Sequence, residues 1–98
     1  MKILAIEKEV PGIAPDSYKP HLKTEALRVW ELYQAGVVRE IYFQGDRANA
    51  VLIMECGSLS EAQVNLDSLP LVQAGLIHFE VTALAPYRGY ARLFAKET

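Results

Sequence analysis

The chain has 98 residues, a formal charge of −2, 51% apolar residues and 22% charged residues, the profile of one ordinary globular domain. It has no basic patch, so nucleic acid is excluded as a partner. No apolar run approaches the ~20 residues of a membrane span, so a membrane is excluded too.

The opening "MKILAIEKEV" predicts a strand over residues 2–9. Its apolar run, Ile3 to Ile6, is too short for the core of a signal peptide. The one cysteine, Cys56, leaves no intramolecular disulfide and suits a reducing compartment, so a cytoplasmic protein is expected. "VPGIAPDSYKP" (10–20) holds three prolines and a glycine and predicts a loop with little helix. A helix follows from about His21 to Gly36. At about 100° per residue, Leu22, Ala26, Val29 and Tyr33 share a stripe, widened by Trp30 and Leu32. Gly36 stands where a C-terminal cap is wanted.

"VVREIYFQ" (37–44) and "AVLIMEC" (50–56) predict two strands, joined by the turn residues "GDRAN" into an antiparallel hairpin. Ser58 with Glu61 is a capping-box signature. Leu59, Ala62, Leu66 and Leu69 then follow at helical spacing until Pro70 closes that helix. The last strand runs from about Gly75 to Leu84, with Ile77, Phe79 and Val81 on one side and His78, Glu80 and Thr82 on the other. An aromatic tail carries Tyr87, Tyr90, Leu93 and Phe94.

This order makes an α+β, ferredoxin-like βαββαβ domain over residues 1–98. Right-handed crossovers place both helices on one face of a four-stranded antiparallel sheet, with the first and third strands central. Both central strands are nevertheless apolar on both faces: Ile3 and Ala5 against Leu4 and Ile6, Val51 and Ile53 against Leu52 and Met54. The expected cover for the second face is another copy of the sheet, giving a dimeric α+β barrel. Residues 86–98 are then an arm that packs on the partner subunit.

Glu25 falls at the edge of the apolar arc of the first helix, flanked by His21 and Arg28. A carboxyl at a core boundary has a raised pKa and suits proton transfer. The alternative is a surface carboxylate paired with His21 or Arg28. Arg39 shares a parity with Ile41 and Phe43, so it is expected to point toward the helices, either clamping an anionic ligand or pairing with an acidic neighbour. Trp30 and Tyr33 suit a ligand cleft between helix and sheet, or the core itself. His78 and Glu80 face one way, as an acid–base pair or as a polar rim. Ligand spacings for a metal and glycine-rich fingerprints for a cofactor do not occur, so neither is expected.

From about Thr24 to Tyr87 the chain resembles the muconolactone isomerase family of the dimeric α+β barrel superfamily. The residues that carry the resemblance are Glu25, Gly36, Arg39, Gly45, Ala48 and Asn49 of "GDRAN", and "LPL" at Leu69, Pro70 and Leu71. The resemblance implies a ferredoxin-like fold, at least a dimer, and proton movement within an unsaturated lactone that bears a carboxylate. Glu40 and Phe43 depart from the pattern, because the isomerase has a histidine and another basic residue there.

The expected function is therefore that of a small-molecule isomerase or lyase, with Glu25 and His21 catalytic and Arg39, Tyr33 and Trp30 holding a carboxylate-bearing or lactone substrate. Two other functions fit the same fold: a non-catalytic binding or assembly module, and a cofactor-independent monooxygenase.

Overall fold

The computed structural model describes residues 1–96. Strand β1 (Lys2–Glu9) lies at the centre of the sheet. It is flanked on one side by β3 (Ala50–Glu55), beyond which lies β2 (Val38–Phe43), and on the other by β4 (Ile77–Leu84). Every pairing is antiparallel. The order β2-β3-β1-β4, with helices at the two crossovers, is the ferredoxin-like arrangement.

Register explains the core. Ala5 pairs with Leu52 on one side and Val81 on the other, and Ile3 pairs with Met54. These residues, with Ile77 and Phe79, turn to the helix side and are buried apart from the half-buried Val81. Against them pack α2 (Leu59–Asp67) through Ala62 and Leu66, and the short α3 (Pro70–Gln73) through Leu71. A fully buried leucine such as Leu66 contributes about 1.5–3 kcal/mol. Helix α1 (Leu22–Gln34) buries only Leu32.

Local signals set the helix ends. The Ser58 side chain accepts a hydrogen bond from the Glu61 amide at 3.1 Å, and the Glu61 carboxylate accepts one from the Gly57 amide at 2.8 Å. The first bond is the Ser58 half of a capping box; in the second, Glu61 reaches one residue past the N-cap, and together they hold the start of α2. Gly36 closes α1 with φ +76°, a conformation that suits glycine, and its neighbour Val37 donates back to the Leu32 carbonyl at 3.0 Å.

One expectation needs correction. Pro70 does not close a helix. Ser68 ends α2, and Pro70 opens α3, where its missing N–H is no loss at a first helical position. The proline-rich loop, expected to hold little helix, adds two three-residue 3-10 turns, Pro15–Ser17 and Lys19–His21, whose first residues accommodate proline.

Among the described residues, no helix covers the sheet's other face. Leu4, Ile6, Val51 and Ile53 are half-buried there, while Tyr42 and Leu84 are exposed. Beyond β4 a 3-10 turn at Gly89–Leu93 leaves Leu93 and Phe94 76% and 85% exposed. Residues 97 and 98 of the expected arm lie outside the described residues. Among the described residues, no helix is long and apolar enough to cross a membrane.

Candidate functional site

Helix α1 meets the core through Leu32 and the half-buried Val29, and the rest of its apolar stripe stops short of the sheet. Between them lies a cleft of about 860 Å³. Leu22, Ala26, Val29, Trp30 and Tyr33 form its helical wall, and Ile41, Phe43 and Ala50 form its floor. Three small residues, Ala26, Ala48 and Ala50, keep the space from filling. Trp30 and Tyr33 stack with ring centroids 5.6 Å apart and stay about half exposed (53% and 50%).

Carboxyls enter this apolar cleft from both walls. Glu25, on α1, accepts a hydrogen bond from the Leu71 amide at 2.9 Å, which ties α1 to the first turn of α3. Burial raises its pKa above the usual carboxylate range, against the opposing pull of that bond and of His21. Glu7 comes from β1, on the parity of Ile3 and Ala5. It accepts a hydrogen bond from the Ala50 amide at 3.3 Å, just past the last β1–β3 pair, Ile6 with Val51. Burial raises its pKa as well, and the charges of Glu25 and Glu9 push it further. Tyr18, whose hydroxyl donates to the Leu76 carbonyl at 3.4 Å, also borders the cleft. Glu9 completes the charged lining.

The structure thus brings together Glu25, Trp30 and Tyr33 from the residues singled out above. His21 stands at the N-terminus of α1, close enough to act on the charge of Glu25 but not on the cleft wall. Arg39 is not in the cleft. A β-bulge between Val38 and Glu40 breaks the parity that would aim it at the helices, and its Nε donates to the Gly36 carbonyl. Arg28 bonds Ser68 at 2.8 Å and lies 3.6 Å from Glu31, so it is not the partner of Glu25. His78 and Glu80 lie exposed on the helix-free face, where Glu80 approaches Lys8 at 4.0 Å.

Sequence reasoning missed Glu7. Its signal was present: an acidic residue continues the core-facing alternation of Ile3 and Ala5. Among the described residues, no three His, Cys, Asp or Glu side chains are grouped so as to hold a metal ion.

The fold and its cleft define a ferredoxin-like α+β domain with a site between the first helix and the sheet. Among solved structures, muconolactone isomerase shares this fold, with a TM-score of 0.73 at 17% identity over 90% of this chain and 92% of that one. A second match is the 5-chloro-2-hydroxyhydroquinone dehydrochlorinase TftG of Burkholderia phenoliruptrix AC1100, in complex with 2,5-dihydroxybenzoquinone. It aligns with a TM-score of 0.65 at 20% identity, over 91% of this chain and 98% of that one. No family model and no curated protein matches the chain. The muconolactone isomerase resemblance read from the sequence therefore stands as a likeness of fold.

Proposed function

We propose that the chain is a small-molecule enzyme of isomerase or lyase type, which binds a compact unsaturated ring in the α1 cleft and moves a proton through Glu25. The observation that carries this reading is a carboxyl of raised pKa set in an apolar, aromatic-walled cleft. As a carboxylate, Glu25 accepts a proton from a carbon beside a carbonyl. As the resulting acid it returns that proton at the far end of the conjugated system, so the atoms balance without a co-reactant. His21, one turn away, tunes the charge of Glu25, while Trp30 and Tyr33 wall the ring. Arg39 has no part in it, because its side chain lies outside the cleft. The test is turnover of a panel of unsaturated lactones and cyclic enones by wild type and Glu25→Gln. The expected result is turnover by wild type that falls at least about 100-fold in the variant. Equal rates in both, or none in wild type, would contradict the reading.

One observation favours a second reading, a binding module without chemistry. The Glu25 carboxyl already accepts the Leu71 amide, which is a structural role. Under it, Glu25→Gln leaves ligand affinity intact and no substrate in the panel reacts.

The same proposal includes a homodimer in the cytoplasm. A second copy covers the face of Leu4, Ile6, Val51, Ile53 and Tyr42, and its arm from residue 86 lies across the first. An interface of about 1,600 Å² or more is expected. Sedimentation at micromolar concentration tests this. A dimer that Ile53→Lys splits agrees with it, and a soluble wild-type monomer contradicts it.

A further inference from the structure

The charge inside the cleft is one-sided. Among the described residues, Glu7, Glu9 and Glu25 are the only charged side chains that line it. The cations nearby lie off the cleft wall, although Lys8 and Arg47 share an adjoining groove with Glu7 and Glu9 and the charge of Arg47 reaches Glu9. Arg47 pairs with Asp46 at 3.0 Å, Lys8 approaches Glu80, Arg28 turns to Ser68 and Glu31, and Arg39 holds the Gly36 carbonyl. His21 acts on the charge of Glu25 from off the wall. Two partly desolvated carboxyls that face one apolar space repel each other and any incoming anion. A ligand carboxylate would add a like charge with nothing to meet it. A ligand cation would supply the charge that the walls lack, and the faces of Trp30 and Tyr33 attract a cation as well.

We propose that the ligand of this cleft is a protonated amine on a small apolar ring, its ammonium held by Glu7 on β1 and its ring walled by Trp30 and Tyr33. The proposal rests on the cleft being a ligand site, and it inverts the charge that an Arg39 clamp would have selected. It separates the two carboxyls by task. Glu7 anchors the amine, and Glu25 on the opposite wall remains to move a proton.

Trp30 is the chain's only tryptophan and lies on the cleft wall, so its emission reports occupancy of this site. The experiment titrates the full chain at neutral pH and low salt with three probes on one skeleton: benzylamine, benzyl alcohol and benzoate. Benzylamine should bind about tenfold or more tighter than benzyl alcohol, and benzoate weakest, as expected for an ion pair in a partly desolvated site. Glu7→Gln should abolish the preference for benzylamine while leaving benzyl alcohol affinity within about twofold of wild type. The three wild-type titrations decide the charge class even where that variant does not fold. If all three probes quench Trp30 but the alcohol equals the amine, the proposal is overturned and the cleft still binds ligands. If benzoate is tightest, the proposal is likewise overturned. Silence from Trp30 with all three probes at tens of millimolar would overturn the cleft as a ligand site, and the proposal with it.

Discussion

The β1–α1–β2 and β3–α2–β4 units follow one plan, down to the way their helical stretches end. Ala35-Gly36-Val37 closes α1 and Ala74-Gly75-Leu76 closes α3, with glycine φ of +76° and +75° and the same 3.0 Å bonds back to Leu32 and Leu71. Their interiors differ. In the second unit Ala62, Leu66, Leu69 and Leu71 are buried against the sheet. In the first, Leu32 alone is buried on α1, and the rest of the apolar stripe faces a cleft. One unit uses its apolar area for stability. The other holds it open, stiffened by the Glu25–Leu71 bond, where a ligand can use it.

Truncation should separate the two units most strongly. Leu66→Ala removes a fully buried side chain and should cost about 2–5 kcal/mol in denaturant unfolding. Ser58→Ala should cost about 1 kcal/mol through the lost cap on α2. Trp30→Ala deletes a larger side chain than either, yet it should stay within about 0.5–1 kcal/mol, because Trp30 is half exposed over the cleft. Its effect should appear instead as weaker ligand binding. A Trp30 variant as damaging as Leu66→Ala would mean that α1 is packed after all.

The smallest effect is electrostatic. Glu7 and Glu25 have folded pKa values raised by burial, so their contribution to stability is full at acid pH and is lost as pH rises through those values. Glu7→Gln can still accept the Ala50 amide and carries no charge. Its melting temperature should exceed that of wild type at neutral pH, and the advantage should shrink on acidification. A constant gap across pH would show that the Glu7 carboxyl is not held out of its usual range.

The strands and the two main helices were legible because their signals are local: alternation, β-branching, the Ser58–Glu61 pair and Gly36. The uncovered sheet face was legible too, since Leu4 and Ile6 stand back to back with Ile3 and Ala5. The cleft was not. A helical stripe such as Leu22, Ala26, Val29 and Tyr33 gives an angle around the helix but no distance from the sheet. The same residues serve a packed core or an open wall. Arg39 was misplaced because a one-residue bulge reverses parity, and the residues at 38–40 do not announce one. Pro70 misled because proline both ends helices and begins them. Glu7 was legible by parity alone, but an acidic residue near the end of a strand reads equally well as a solvated end.

The claim beneath all of this is that the face of α1 around Ala26 opens on a cleft, while α2 is packed closed around Ala62. It is tested most directly by enlarging matched alanines and measuring unfolding free energies. Ala62→Leu adds three carbons to a closed contact and should destabilise by about 1–3 kcal/mol. Ala26→Leu adds the same carbons over the cleft and should be neutral or stabilising. Equal losses in the two variants would contradict the open cleft, and with it the site.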